Sequence, residues 1–589
     1  MMLRGTSTST FLIHPDVAAA LKDCRHAFWS VAIFSAAVNV LMLAGPLYML
    51  QIYDRVLSSR SVPTLVALTI FLVGAYSFQV VFDLIRSRVV VRSSTLLDQR
   101  LGTTVHGAVV RLAVQSRQAG EAQQPLRDLD QIRSFLTGAG PVAIVDLPWM
   151  PLFLLVCFLI HPWLGMLAFT GALILIGITL LTERASRGPA RSYAQDAGLR
   201  AAMVEGDRRN CETVAAMGME RALALRWTKV NNHYLSAVER SADVVSSYGS
   251  LSKVIRLLMQ SMIFGLGAYL VIRQELSAGA MIAASIMMGR ALVPIETAIA
   301  NWRSFIAARH SVRRLSDVLA RVSSNKKSSQ IPKPIRSLDV EQVNVTAPGA
   351  QATIVKDVVF ALSAGEALGI IGPSGSGKTS LVRTLVGIWP AAKGTVRLDG
   401  ASLDQWEPEV RGRFVGYLSQ TIELFDGTIT ENIARMSGEA ETKLVIAAAQ
   451  MAGVHDLIVG FPSGYDTNIG EGGISLSAGQ RQRIALARTL YGDPFLVVLD
   501  EPNSNLDAAG EAALNKAVRA LKARGAIVVV IAHRQSSLDV CDKVLVLVNG
   551  VQQAFGSCNE ILRRIAKHPP LPASAANLRV VETAGGTRS

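Results

Sequence analysis

Two short segments of this chain carry residues suited to phosphate chemistry. The first is 372–379, GPSGSGKT, which fits the pattern GxxxxGK[ST] and directly follows an apolar run. Glycines let backbone N–H groups and a helix N-terminus face phosphate, while the lysine neutralises the β- and γ-phosphates and the threonine binds Mg²⁺. We predict that nucleotide binds along this loop and the first helical turn after it, at Gly372, Pro373, Ser374, Gly375, Ser376, Gly377, Lys378, Thr379 and Ser380.

The second segment is 495–501, FLVVLDE, an apolar run that ends in two carboxylates. In α/β folds, ligands bind at the C-terminal ends of the strands. We expect Asp500 to hold Mg²⁺, through water, and Glu501 to orient or deprotonate the attacking water. The alternative is an ordinary strand that ends at a helix N-cap. The phosphate loop upstream favours the catalytic interpretation.

These segments lie in a region that reads as a soluble α/β domain. Short β-like runs alternate with helical stretches, which predicts a parallel sheet covered by helices over residues 337–565. The runs are Ala367–Ile371, Val415–Leu418, Phe495–Leu499 and Ile527–Ile531. A polar segment interrupted by two prolines predicts a linker at 320–336, and a proline-rich tail predicts disorder at 566–589.

The first half of the chain is unlike the second. Overall, 50% of the 589 residues are hydrophobic and 18% are charged, against a usual ~25% charged. The missing charge is concentrated in long apolar runs before residue 305, and a helix needs ~20 such residues to cross a bilayer. We predict six spans in a domain covering 28–319, at about 28–50, 62–85, 141–161, 163–182, 254–273 and 278–304. The last two contain or border charges, so a buried helical hairpin of a soluble protein remains the alternative there.

The formal net charge of +14 is compatible with nucleic-acid binding or with basic cytoplasmic loops. The five loops between the predicted spans hold 2, 8, 0, 12 and 1 Lys or Arg residues in order. The positive-inside rule then places the second and fourth loops, the N-terminal segment 1–27 and the C-terminus in the cytoplasm. The charge is explained without nucleic acid. Five scattered cysteines with no metal-binding spacing argue against a disulfide framework or a zinc site.

Further motifs make the soluble half resemble the ATP-binding-cassette family. Residues 476–480, LSAGQ, are similar to its signature motif, and Gln420 is similar to its Q-loop glutamine. Residues 504–507, SNLD, resemble the D-loop, His533 the switch histidine, and 470–472 the exporter-type X-loop. The resemblance covers roughly 338–560. It implies a P-loop cassette fused to an all-α exporter-type membrane domain with six helices.

The family resemblance also implies a mechanism and a set of roles. Two cassettes close head to tail around two ATP molecules, with Mg²⁺ as cofactor, and hydrolysis depends on positioning and charge stabilisation. The implied catalytic residues are Glu501, His533 and Gln420, and the implied metal ligands are Thr379, Gln420 and Asp500. Nucleotide contacts are also implied for Ser477, Gly479, Gln480 and Asp507. One departure is Ala347, near the position where the family usually stacks an aromatic ring on adenine.

The whole chain resembles the permease/ATPases of bacterial type I secretion, in the subgroup that exports proteases, lipases or surface-layer proteins. The residues concerned are 45–57 (GPLYMLQIYDRVL), 146–149 (DLPW) and 501–504 (EPNS). The resemblance implies an inner-membrane homodimer that exports an unfolded protein with a C-terminal signal. It also implies a periplasmic adaptor and an outer-membrane channel as partners. A lipid or drug exporter is the same-class alternative, and a soluble cassette ATPase acting on nucleic acid is the alternative from another class.

Four charged residues fall near membrane depth in the predicted spans, where charge is costly and commonly functional. They are Asp83, Asp146, Arg290 and Glu296. Either they serve the translocation path, or they lie at span ends, in water or paired across helices. The sequence leaves both interpretations open.

Overall fold

The computed structural model describes residues 14–115, 123–322, 331–350, 352–470, 473, 475–532, 534 and 537–567. The chain divides into two compact units, Met1–Ser324 and Asn325–Ser589. The described secondary structure of the first unit is helical, and the second is built on a sheet. The predicted fold class is therefore confirmed.

The first unit, the membrane unit, contains six helical segments long and apolar enough to cross a membrane. They are Arg25–Ser59, Val62–Val114, Ala139–Ile160, Pro162–Arg209, Glu220–Ile272 and Ala278–Ala300. The number and order of the predicted spans are confirmed, including the last two. A soluble hairpin is thus not needed to explain either of them.

Individual helices subdivide some of these segments. A π-helical turn (Ile52–Val56) interrupts the first segment and a 3-10 turn (Leu147–Trp149) interrupts the third. The helices are α1 (Pro15–Asp23), α2 (Arg25–Leu41), α3 (Ala44–Gln51), α4 (Leu57–Ser59), α5 (Val62–Gln115), α6 (Gln124–Thr137), α7 (Ala139–Asp146), α8 (Met150–Ile160), α9 (Pro162–Arg209), α10 (Cys211–Ala216), α11 (Glu220–Ile272), α12 (Ala278–Ala300) and α13 (Trp302–Val322).

Three of these helices are far longer than a bilayer requires. Helix α5 has 54 residues, α9 has 48 and α11 has 53. At 1.5 Å per residue each extends for roughly 70–80 Å, more than twice the ~30 Å of hydrocarbon. The described parts of the two basic loops are therefore largely continuations of spanning helices.

The boundaries of this unit differ from the prediction at both ends. Helix α1 forms inside the segment predicted to be only a short N-terminus. The sixth span ends at Ala300, and α13 then continues to Val322, into the predicted linker. Residues 323–330 of that linker and 568–589 of the predicted disordered tail lie outside the described residues.

Helix α12 lies in the centre of the membrane unit. Its alanines at 283, 284 and 291 are at most 1% exposed, and Ala284 and Ala291 pack in one cluster with residues of α8, α9 and α11. Small residues let membrane helices approach closely, since lipid supplies no hydrophobic drive for their association. The alanine-rich sequence of this helix thus explains its central place.

The second unit, the cassette, is a ten-stranded sheet with the order β5-β4-β1-β2-β10-β9-β3-β8-β7-β6. Its strands are β1 (Ser337–Thr346), β2 (Thr353–Ser363), β3 (Ala367–Ile371), β4 (Lys393–Leu398), β5 (Ala401–Ser402), β6 (Val415–Leu418), β7 (Leu496–Asp500), β8 (Ile527–Ile531), β9 (Lys543–Val548) and β10 (Val551–Ser557). Its helices are α14 (Lys378–Leu385), α15 (Pro408–Phe414), α16 (Ile429–Ile433), α17 (Thr442–Met451), α18 (His455–Val459), α19 (Ala478–Leu490), α20 (Ala508–Ala523) and α21 (Cys558–Lys567).

The part of the sheet that positions the site is parallel. Strands β9, β3, β8, β7 and β6 pair in parallel in that order, so their C-terminal ends lie at one edge. Every residue of β7 and β8 is buried, as the apolar runs Leu496–Leu499 and Ile527–Ile531 require in a sheet covered on both faces. The four predicted strands are confirmed, with a shift of one residue in β7.

Candidate nucleotide site

The phosphate loop joins the end of β3 to the start of α14, as the sequence predicts. Gly372 and Gly377 both have left-handed φ angles, +154° and +95°. A Cβ at Gly372 would overlap the carbonyl oxygen of Leu547, and one at Gly377 would lie 2.7 Å from Cγ2 of Val355. Glycine is therefore required at both positions for the loop to lie this close to the sheet.

Lys378 begins α14 and is buried, with 6% of its surface exposed. Its Nζ donates hydrogen bonds to the carbonyl oxygens of Gly372 at 2.9 Å and Pro373 at 3.0 Å. Burial lowers the pKa of this ammonium, and the charges of Glu501 and Asp500 oppose that shift. The ammonium is thus held against the loop, where it can contact bound phosphates.

Asp500 ends β7 and is 1% exposed. The Thr379 hydroxyl donates to its Oδ1 at 3.4 Å, a long bond, and its Oδ2 is buried with no hydrogen-bond partner among the described residues. Burial raises the pKa of Asp500 to about 6, and Glu501 adds to this while Thr379, Arg383 and Lys378 oppose it. A bare buried carboxylate oxygen is costly unless a cation compensates it.

The pair of Asp500 and Thr379 fits Mg²⁺. Magnesium prefers oxygen ligands and is usually bound by one or two carboxylates together with substrate phosphates and water. Within the described part of the chain, no group of three or more His, Cys, Asp or Glu side chains is arranged to hold a metal. The two oxygen groups of the chain leave the other positions around such an ion to phosphates and water.

Glu501 follows directly and has a left-handed φ of +52°. For a residue with a Cβ this conformation is strained, and such strain is commonly retained at functional sites. Its side chain lies at a cavity of about 70 Å³. The cavity is lined by Glu501, Pro502, Asn503, Ser504, Ile531, Arg534 and Ser537. The second carboxylate thus lines a cavity with room for more than one water molecule at the strand ends.

The loop after Glu501 is held by polar side chains that sequence reasoning did not identify. Gln482 of α19 is 2% exposed; its Nε2 donates to the carbonyl oxygen of Pro502, and its Oε1 accepts from the backbone N–H of Asn505 at 3.1 Å. Asn503 donates to the Ser537 hydroxyl at 2.8 Å. A glutamine on the apolar face of α19 is the signal that could have revealed the first contact.

The signature segment forms the N-terminus of α19. Ser477 caps the helix: its Oγ accepts from the backbone N–H of Gln480 at 3.3 Å, and Gln480 Oε1 accepts from the backbone N–H of Ser477 at 2.8 Å. This reciprocal arrangement is a capping box. A Cβ at Gly479 would lie 3.1 Å from the carbonyl oxygen of Asn505. No hydrogen bond among the described residues joins Ser477, Gly479 or Gln480 to the phosphate loop.

Asp507 caps the next helix, α20. Its Oδ1 accepts from the backbone N–H of Gly510 at 2.8 Å and from Arg483 at 2.6 Å. The Gly510 N–H and Arg483 hold the pKa of this carboxyl below its ordinary value. Within the chain, Asp507 therefore has a structural role as a helix cap.

The remaining predicted site residues have different environments. Gln420 lies in an exposed bend after β6. His533 and two residues of the X-loop, 471–472, lie outside the described residues. Ala347 follows β1 and is 2% exposed, so its methyl group is buried and offers no ring for a base to stack on.

In the membrane unit, the charges at membrane depth are mostly paired. Arg86 Nη1 lies 3.2 Å from both carboxylate oxygens of Asp146, and its Nη2 donates to Asp83 at 2.5 Å. Ser35 and Asn39 of α2 also donate to Asp146, Asn39 at 2.9 Å. This network, in which Arg86 is 8% exposed, joins α2, α5 and α7.

Glu296 of α12 forms a second ion pair with Arg256 of α11, with an Nε–Oε2 distance of 2.6 Å. Arg290 differs from the other three residues because it is exposed, with Met42 Sδ 4.0 Å from its Nη1. Pairing therefore accounts for Asp83, Asp146 and Glu296 and leaves Arg290 facing outward from the central helix.

Comparison with known protein families assigns both units. Residues 355–504 match the ABC transporter family, and residues 28–293 match the ABC transporter transmembrane region. A solved structure of a bacterial Atm1-family ABC exporter with ATP bound superposes with a TM-score of 0.78 and 22% sequence identity. It covers 92% of this chain and 96% of that one. At this identity the likeness concerns the fold.

Similarity to individual proteins identifies the group of transporters more narrowly than the family match does. The type I secretion system ATP-binding protein PrsD of Rhizobium meliloti is 49% identical over 552 residues, which cover 94% of this chain and 95% of that protein. The cyclolysin secretion/processing ATP-binding protein CyaB of Bordetella pertussis is 29% identical, covering 92% of this chain and 77% of its own. The leukotoxin translocation ATP-binding protein LktB of a Pasteurella haemolytica-like species is 30% identical with the same coverage.

Proposed function

Because this chain belongs to the ATP-binding proteins of type I secretion systems, within the ABC transporter family, we propose that it is an exporter that hydrolyses ATP to move an unfolded protein out of the cytoplasm. The observation that carries the proposal is the 49% identity to one such protein over 94% of the chain, which spans both units. The site geometry supports ATP hydrolysis independently. The phosphate loop and both carboxylates lie at the same edge of the parallel sheet.

The proposed chemistry is the attack of water on the γ-phosphorus of ATP. Lys378 and the backbone N–H groups of the phosphate loop bind and neutralise the phosphates. The water oxygen forms a bond to the γ-phosphorus while the bond from that phosphorus to the ADP oxygen breaks. Glu501 accepts the proton that the attacking water gives up. Thr379 and Asp500 would hold Mg²⁺, which supplies charge neutralisation at the phosphate oxygens. Gln420 and His533 are assigned to the same site by family resemblance.

A second copy of the chain is proposed to complete each site. Ser477, Gly479 and Gln480 lie at the N-terminus of α19, where backbone N–H groups attract anions. Ser477 is exposed, as a residue that binds across an interface must be. The signature segment would therefore bind the γ-phosphate held by the partner cassette, with Asp507 near the same junction. The functional unit is a homodimer with twelve spans.

The membrane arrangement is proposed from charge and loop length. The second and fourth loops carry 8 and 12 basic residues, and on the positive-inside rule we propose that they and both termini lie in the cytoplasm. On the opposite side the connections are short, with His161 between α8 and α9 and residues 273–277 between α11 and α12. We place the protein in the bacterial inner membrane, where a periplasmic adaptor and an outer-membrane channel would continue the path.

The cargo is proposed to be an unfolded polypeptide with a C-terminal signal. A folded domain of 100 residues has a radius of gyration of ~13 Å, too large for a path between twelve helices. The test compares the proteins that a deletion strain secretes into the medium with those secreted by the same strain carrying the gene. We expect at least one protein to disappear from the medium of the deletion strain and to return with the gene. An unchanged medium with altered lipid composition or drug tolerance would favour the small-molecule exporter instead.

A further inference from the structure

A groove opens between α1 and the beginning of α2, at the edge of the first span. It has a volume of about 520 Å³ and is wide open to the outside of the unit. Its lining consists of Ala18, Leu21, Lys22, Arg25, Phe28, Trp29 and Ala32. None of these residues belongs to the nucleotide site or to the ion-pair networks described above.

The groove exists because α1 is anchored on its opposite face. Val17, Ala20 and Cys24 are buried against Leu97 and Leu101 of α5, in one apolar cluster. The Cys24 thiol also donates to the carbonyl oxygen of Ser93, 3.7 Å away. Helix α1 is thereby fixed beside α5 at the point where α5 has passed its apolar run and become rich in arginine. This places α1 at the membrane surface.

The two cations of the lining lie at the junction of the two helices, Lys22 in the last turn of α1 and Arg25 at the start of α2. Both are exposed, and neither has an ion-pair partner among the described residues. Asp23, the acidic residue between them, is paired with Arg100 at 3.4 Å. Two cations without an ion-pair partner in the described part of the chain are therefore left at this junction.

On the α2 side of these cations, the lining is apolar and enters the span. Phe28 is 40% exposed and Trp29 is 65% exposed. Tryptophan is enriched at the membrane–water interface, where its ring meets both headgroups and acyl chains. From Arg25 to Ala32 the helix rises by roughly 10 Å. The groove therefore runs from two cations at the headgroup level to aromatic surface at the level of the first acyl carbons.

We propose that the groove between α1 and α2 binds an anionic phospholipid. Lys22 and Arg25 contact the phosphate and the negatively charged headgroup, while Phe28 and Trp29 pack along an acyl chain. The site is lateral, so the lipid is a bound component of the transporter and not its cargo. Binding would hold α1 against the first span and connect the lipid composition of the membrane to the position of α2.

The experiment uses the purified full-length protein and a short-chain phosphatidylglycerol as the probe, with retained lipid counted by native mass spectrometry. The Lys22→Ala/Arg25→Ala double variant should bind about 30-fold more weakly, at roughly 1 kcal/mol for each basic residue. Arg226→Ala/Lys229→Ala removes the same charge from exposed positions on α11 and should bind like the unmodified protein. Trp29→Ala should weaken the binding of phosphatidylglycerol by several-fold with the net charge unchanged.

Four results would overturn the proposal. One is equal binding by the two double variants at matched melting temperatures. Another is equal affinity for short-chain phosphatidylcholine, which has no net negative charge. The third is full competition by inorganic phosphate, which would make the groove an anion site without a lipid. A change in oligomeric state in the Lys22→Ala/Arg25→Ala variant would assign the groove to a second copy and would likewise contradict lipid binding.

Discussion

Two buried carboxylates, one in each unit, differ in how many hydrogen-bond partners they have. In the membrane unit, Asp128 is 2% exposed and accepts hydrogen bonds from Ser311 at 2.9 Å, from Gln124 at 3.2 Å and from Arg314 at 2.5 and 3.1 Å. In the cassette, Asp500 is equally buried but has one long hydrogen bond and a bare oxygen.

The difference indicates what each carboxylate does. A charge that is fully paired within the chain holds helices together, as Asp128 joins α6 to α13 and Asp146 joins α7 to α2 and α5. A buried charge that is left unpaired costs stability in the folded protein, so its retention implies a ligand that compensates it. The comparison thus separates structural charges from the nucleotide site without reference to sequence motifs.

The largest expected effect is on the paired charges of the membrane unit. Arg86→Met removes the cation that pairs with Asp146, and the partly buried carboxylate then keeps only Ser35 and Asn39 as donors, so the unit should be destabilised by up to about 3 kcal/mol. A fluorescence-based melting curve in detergent would show this as a large fall in apparent melting temperature. Adding Asp146→Leu should recover part of the loss. Arg88→Met, at an exposed position on the same helix, is the control and should change the curve little.

In the cassette, the largest effect should be on catalysis instead. Glu501→Gln removes the proposed general base and should lower the ATPase rate on the order of 10²-fold or more, with ATP binding kept and closed dimers accumulating. Lys378→Ala should lose nucleotide binding and show no closed dimers. Turnover of the glutamine variant within a few-fold of the original enzyme would remove Glu501 from the mechanism.

Removing the charge of Asp500 should stabilise the nucleotide-free protein, whereas removing the charge of Arg86 should destabilise it. Burial raises its pKa from the ordinary 3.8 to about 6, so the folded protein binds this proton more tightly than the unfolded chain. Ionisation of Asp500 in the folded protein therefore lowers the free energy of unfolding. The loss begins above pH 3.8 and reaches its full value, at most about 3 kcal/mol, above about pH 6. Asp500→Asn should raise the melting temperature of the nucleotide-free protein at pH 8, and by less at pH 5.

The control for that measurement is Asp426→Asn, an exposed carboxylate in the same unit, which should change the melting temperature little at either pH. Excess Mg²⁺ and ATP should reverse the order, since they stabilise the original protein and not the variant. An asparagine variant that melts lower than the original at pH 8 without nucleotide would show that Asp500 is compensated within the chain.

The smallest expected effect concerns the choice between adenine and guanine nucleotides. A stacking ring contributes ~1–3 kcal/mol per base, and the buried methyl of Ala347 cannot supply it. Phosphate and metal contacts should then dominate, so ATP and GTP should be hydrolysed at rates within about tenfold of each other. Steady-state rates with the two nucleotides measure this directly. A strong preference for ATP would point to an aromatic side chain elsewhere in the dimer.

The sequence predicts most of what is local. The phosphate loop, the strand carrying Asp500 and the six spans follow from patterns within ~25 residues, because apolar runs and glycine placement determine them directly. What it does not predict depends on contacts between distant residues. Arg86 and Asp146 are 60 positions apart, and Gln482 and Pro502 are 20 apart on separate elements. Helix α1 was missed because its short apolar face becomes evident only when α5 covers it.

The central claim is that this ATPase site drives protein export. The most direct test is to complement a deletion strain with the original gene or with Glu501→Gln, at matched levels in the membrane, and to quantify secreted protein in the medium. We expect secretion to return with the original gene and to stay at the level of the deletion strain with the variant. Equal secretion by the two strains, while the purified variant lacks ATPase activity, would contradict it.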